Sequence, residues 1–191
     1  MKLILGSAQL GFKYGYKKKK INKKQYSKII NLIKKNSLIK FDTAMSYGES
    51  EKILGTFKFN KQIITKIKLP KSKLKNYGSW INKKINTTLN RLKVKKIYAL
   101  LIHDTSDILC KDKTYLNFLK DLKKKRIISK LGISVYDVEE VQKILKFWKP
   151  DIIQMPVNVF DQRFLKKNFL NKLKRLNIEI NANKLGIVNI L

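Results

Sequence analysis

Cysteine is nearly absent: Cys110 is the one thiol in 191 residues. That excludes an internal disulfide and a cysteine metal cluster, so no metal site is expected, and a reducing, cytoplasmic setting is. Proline is almost as scarce, with three residues, and no Ser/Gly-rich linker divides the chain. One domain over residues 1–191 is therefore expected. No apolar run approaches the roughly 18 residues that span a bilayer, and the opening stretch is too short for a signal peptide, which argues against a membrane. Acidic side chains are few as well: Asp+Glu 13 against Lys+Arg 44, a formal charge of +31.

Such a charge ordinarily raises nucleic acid as a partner. Arginine, the better bidentate ligand for phosphate and guanine, supplies only 4 of the 44 cations, and the 40 lysines are spread over the whole length. Lys, Ile and Asn, whose codons are richest in A and T, make up 81 of the 191 residues. The charge reads as base bias displayed on solvated faces, with no specific nucleic-acid partner implied.

What the chain does contain is an alternation. Strand-like apolar runs cover 39–44, 62–67, 97–103, 127–134, 151–155 and 178–182, with helical stripes between most of them. Ile81, Ile85, Leu89 and Leu92 form one such stripe, and Asp137 with Glu140 forms a capping-box pattern ahead of another. Trp80 and Trp148 fall on apolar stripes and read as core; Asn22 and Gln25 suit a helix start. Six strands separated by helices indicate repeated βαβ units and a parallel sheet. No Gly-x-Gly-x-x-Gly follows an early strand, so a Rossmann-type site has no support. Polar residues recur where the runs finish: Asp42, Lys66, His103, Ser134, Gln154 and Asn158. A rim that collects side chains from many strands favours a (β/α)8 TIM barrel, incomplete, with about six of its eight units. Asn181 and Asn183 end the last run, but in so Asn-rich a chain they read as incidental.

At these strand ends the sequence resembles the aldo/keto reductase family. The resemblance rests on residues 5–11 (LGSAQLG), 41–51 (FDTAMSYGESE), 64–66 (ITK), 101–104 (LIHD) and 130–134 (KLGIS), and the Asp-Thr-Ala-x-x-Tyr-Gly-x-Ser-Glu stretch is the most specific of them. It implies a barrel that uses NADPH, with NAD not excluded, to reduce a small aldehyde or ketone to an alcohol. It also implies an Asp, Tyr, Lys and His tetrad, which falls on Asp42, Tyr47, Lys66 and His103. Ser134 and Gln154 would meet the nicotinamide carboxamide, and Gly6, Ser7 and Asp42 would lie near cofactor and substrate. Val135 stands where many relatives have Asn, so one polar contact to the carboxamide is lost.

The chemistry suits these residue types. Hydride addition turns a carbonyl oxygen into an alkoxide that needs a proton. A tyrosine can act as general acid, a neighbouring ammonium favours its phenolate, and an aspartate holds that ammonium where it is buried. A histidine can donate a hydrogen bond to the carbonyl oxygen.

The resemblance departs at residues 184–191, where family members continue through further strands that bind the cofactor's phosphates at helix N-termini. Three readings follow: a truncated or frameshifted product, a fragment completed by a second polypeptide, or an oligomer that completes its own barrel. The first is favoured, and an inactive remnant or interaction module is the alternative to an oxidoreductase.

Overall fold

A computed structural model describes residues 4–11, 21, 23–35, 40–57, 62–70, 74–109, 113–158 and 160–183. Asn22, Cys110 and residues 184–191 lie outside them.

The alternation is realised as β1 (Leu5–Gly6), α1 (Ala8–Gly11), α2 (Lys23–Lys35), β2 (Lys40–Asp42), α3 (Ser50–Gly55), β3 (Gln62–Ile67), α4 (Tyr77–Leu92) and β4 (Ile97–Ile102). It continues with α5 (Ser106–Leu109), α6 (Thr114–Lys124), β5 (Ile128–Ser134), α7 (Val138–Leu145), β6 (Ile152–Pro156), a 3-10 turn (Arg163–Leu165), α8 (Lys167–Arg175) and β7 (Glu179–Asn183). Each strand pairs in parallel with the next in chain order, giving a seven-stranded curled sheet of the incomplete (β/α)8 type. The sequence pattern accounted for six strands; the seventh is β1. Two residues are too few to display a period-two signal, so only pairing with β2 defines this strand.

Alternate strand residues divide between two faces. On the outer face Ile67, Leu100, Ile102, Ile133 and Ile153 pack in one large cluster beneath the helices, and Phe41 and Ile63 in a second. Each fully buried side chain of this size stabilises the fold by about 1.5–3 kcal/mol. The inner face holds a smaller cluster of Ile64, Ala99, Leu101 and Ile152. Helices α4 and α7 begin at side-chain caps that their sequences supply. Asn76 caps α4 by accepting from the Ser79 amide at 2.9 Å, and Lys93 closes it in a left-handed conformation. Asp137 and Glu140 form the anticipated capping box of α7. Trp148 lies just beyond α7, yet it is buried in the core as its stripe implied. Among the described residues no helix is long and apolar enough to cross a membrane.

Candidate active site at the carboxyl ends of the strands

Parallel register brings the polar strand ends to one rim. Gly6 lies beside Asp42, Lys66 beside Leu101, and Ser134, Gln154 and Asn181 form a row across β5, β6 and β7. His103 follows β4, its amide donating to the Ile67 carbonyl at 2.9 Å. Asn158 stands apart: its Oδ1 accepts from the amides of Phe160 and Asp161 at 2.9 Å each, so it shapes a turn beyond β6.

Lys66 is 2% exposed, and a cation so placed must be paired. Its Nζ donates to both Asp42 carboxylate oxygens at 2.8 Å and to the Thr43 carbonyl at 3.0 Å. Three ammonium protons thus meet three acceptors. Gln154 Nε2 donates to Asp42 Oδ1 at 2.9 Å. A carboxylate only accepts, so the amide nitrogen must face it, and Gln154 Oε1 is left buried without a donor. Asn181 Nδ2 and Asn183 Oδ1 are likewise buried and unpaired, and Asn181 is 4% exposed. These two residues had read as incidental; the signal that marks them is burial on the inner face beside Gln154, which composition hides.

Tyr47 is carried on the loop after β2, and two glycines set its approach. A Cβ on Gly11 would stand 1.6 Å from the Tyr47 carbonyl oxygen, and Gly48 takes φ +52 against the Gly11 carbonyl. Only residues without Cβ allow α1 and this turn to touch. The loop is pinned again from below. The Ser50 hydroxyl lies 2.8 Å from Ser7 Oγ and 3.0 Å from Thr43 Oγ1, and Ser7 Oγ donates to the Asp42 carbonyl at 2.9 Å. Ser7 is therefore spent inside the protein, whereas Gly6 faces open space.

The loop brings the Tyr47 ring 5.3 Å from Lys66 Nζ and 6.1 Å, edge-on, from the His103 ring. The four residues singled out by type and position stand together. Burial, with Lys66 and Lys68 adding repulsion against the opposing pull of Asp42 and Asp104, holds the His103 imidazole below its usual pKa. At neutral pH the ring is uncharged, and one of its nitrogens carries a proton to donate. Ser46 Oγ lies 3.5 Å from Nδ1.

Glu51 closes the most specific sequence motif, but no role was expected of it. It is 1% exposed, accepts from Thr65 Oγ1 at 3.0 Å and Thr88 Oγ1 at 3.3 Å, and burial raises its carboxyl above the usual range. It fastens α3 to β3 and α4 behind the Tyr47 loop. Among the described residues no group of three His, Cys, Asp or Glu stands together to hold a metal.

The Aldo/keto reductase family profile matches residues 2–184. No curated protein matches the chain at the sequence level. Among solved structures the chain is similar to a Pseudomonas aeruginosa chain described as an aldo-keto reductase, with TM-score 0.75, 20% identity, and coverage of 94% of this chain and 71% of that one. It is also similar to the aldo-keto reductase AKR11C1 from Bacillus halodurans in its holo form, with TM-score 0.72, 18% identity, and coverage of 95% and 61%. A third is the aldo-keto reductase from Klebsiella pneumoniae in complex with NADPH, with TM-score 0.68, 15% identity, and coverage of 95% and 63%. Identities this low speak for the fold.

Proposed function

The chain belongs to the aldo/keto reductase family, and from that premise we propose that it reduces a small aldehyde or ketone to the alcohol with NADPH, Tyr47 serving as general acid. The observation that carries this reading is the buried Lys66 ammonium, held by Asp42 at 2.8 Å and standing 5.3 Å from the Tyr47 ring. A bound NADPH supplies the hydride that adds to the carbonyl carbon. As that bond forms, Tyr47 Oη gives its proton to the carbonyl oxygen, and the positive charge of Lys66 stabilises the phenolate left behind. Asp42 holds the Lys66 ammonium in place. His103, neutral, donates an N–H to the carbonyl oxygen and orients it. Solvent then reprotonates Tyr47.

The residues at the rim fit a nicotinamide. Gln154 Oε1, buried without a donor, suits the NH2 of a carboxamide, and Ser134 lies beside it in register. Gly6 leaves room where a side chain would stand. The neighbour solved with NADPH supports that choice of cofactor. Titration of NADPH into the purified chain tests the reading directly. Saturable quenching of tryptophan fluorescence is expected, with carbonyl-dependent NADPH oxidation that disappears in Tyr47→Phe. Absence of binding at millimolar NADPH overturns it in favour of a barrel without turnover.

A further inference from the structure

Three polar atoms on the inner face of the sheet are buried and bonded to nothing: Gln154 Oε1, Asn181 Nδ2 and Asn183 Oδ1. The other such atom among the described residues, Tyr26 Oη, belongs to α2. A buried polar atom is rarely left unmet in a folded protein. Of the three, only Gln154 Oε1 meets a group in the reaction proposed above.

Gln154 and Asn181 are register partners on β6 and β7, and neighbouring strands stand about 4.8 Å apart. An acceptor and a donor on adjacent partners would ordinarily satisfy each other; these do not. Their directions follow from what surrounds them. Gln154 Nε2 donates to Asp42 Oδ1 at 2.9 Å, so turning that amide over would set oxygen against carboxylate. Turning Asn181 over would bury a second acceptor beside Gln154 Oε1. Asn181 faces the interior, because Ile180 packs on the outer core and Glu179, two residues earlier on the same face, is bonded to Lys40, Tyr98 and Lys130. Asn183 continues that face.

The set is therefore two acceptors and one donor. A primary amide presents the complement, two N–H groups and one carbonyl oxygen. A carboxylate does not, since it brings only acceptors to a wall that already holds two. We propose that Asn181 donates to the carbonyl oxygen of the nicotinamide carboxamide while Gln154 accepts from its NH2, so that the β6–β7 seam recognises both ends of the amide. This rests on the NADPH reading above and adds a recognition residue to it. A carboxamide held by Gln154 alone is free to pivot about that one bond. Opposed contacts leave it a single orientation.

A trapped water offers the same groups as an amide, and cofactor analogues separate the two. Fluorescence titration of the parent chain, Asn181→Leu and Gln154→Met with NADP+ and two of its analogues is the test. The thionicotinamide analogue keeps the NH2 and replaces the carbonyl oxygen by sulphur, a weak acceptor. The 3-acetylpyridine analogue keeps the oxygen and replaces the NH2 by methyl. Asn181→Leu should weaken NADP+ and the acetylpyridine analogue about tenfold, and the thionicotinamide analogue less than about threefold. Gln154→Met should instead weaken NADP+ and the thionicotinamide analogue and spare the acetylpyridine one. The urea midpoint of Asn181→Leu should not fall, because the substitution removes an orphaned donor. If Asn181→Leu shifts all three ligands alike, or none, Asn181 is a structural or water-holding residue; the inference is then overturned and the reductase reading stands. If the parent chain binds none of the three, both are overturned.

Discussion

The inner face of the sheet carries charge at two heights, on some of the same strands. At the carboxyl ends Asp42 and Lys66 are joined by Gln154 and Asn181. One step lower, Glu179 on β7 takes a hydrogen bond from Tyr98 at 2.6 Å, an ion pair with Lys40 at 3.3 Å, and a close one with Lys130. The lower group gathers β2, β4, β5 and β7 around one carboxylate. Above it, Gln154 Oε1, Asn181 Nδ2 and Asn183 Oδ1 are buried without partners. A buried polar atom left unpaired costs about 1–3 kcal/mol, so polar groups that meet each other mark a fastening, and those that do not mark a place kept for something else. On the proposed function, the comparison separates stability from function in the sense that barrels assign their two ends.

The largest effect should come from the upper layer. Lys66→Met should lower carbonyl turnover about 10²- to 10⁴-fold in a steady-state absorbance assay, while NADPH still quenches fluorescence. Turnover retained in that variant breaks the distinction. Glu179→Gln should do the reverse. It leaves Lys40 and Lys130 facing no charge and should cost about 2–3 kcal/mol in urea unfolding, with NADPH affinity unchanged. Burial opposes ionisation of Glu179, but Lys130, Tyr98 and Lys40 together hold its carboxyl below the usual range. Its stabilisation is therefore present above the ordinary carboxylate pKa and lost as pH falls through the lowered one. Glu179→Gln should flatten that acid limb of the stability profile.

How much of this was legible follows the same division. The tetrad could be read because Asp42, Lys66 and His103 end apolar runs and Tyr47 falls in the specific family-like motif that follows Asp42. The lower layer could not. Lys40 and Lys130 are two of 40 lysines, and nothing in composition separates an inward cation from a solvated one. Their only signal is an inner-face position on a strand. Glu51 stood in the most specific motif, but its buried fastening role was hidden, since a carboxylate in a short helix reads as solvent-facing. The strand β1 escaped because it has two residues and is defined by its neighbour.

Smaller effects sharpen the contrast. Gln154→Met removes the unpaired oxygen and one bond to Asp42; NADPH affinity should fall about tenfold, or 1.4 kcal/mol, in fluorescence titration, with fold stability within about 1 kcal/mol. The least should come from His103. Its imidazole is held below the usual pKa, so the folded state resists protonation: stability is full above the ordinary imidazole range and declines as pH falls through that range toward the lowered value. Thermal unfolding across pH 5–8 should show this slope in the parent chain and its loss in His103→Asn.

The span of these contacts along the chain also implies an order of assembly. Asp42 and Lys66 are 24 residues apart, Asp42 and Gln154 112, Lys40 and Glu179 139. Longer loops cost more entropy to close, and contacts distant in sequence form slowly. During synthesis the charged pair can join once β3 has emerged, while the Gln154 amide waits for β6 and the fastening beneath it waits for β7. The chain thus acquires the Asp42–Lys66 pair before it acquires the curvature that encloses it.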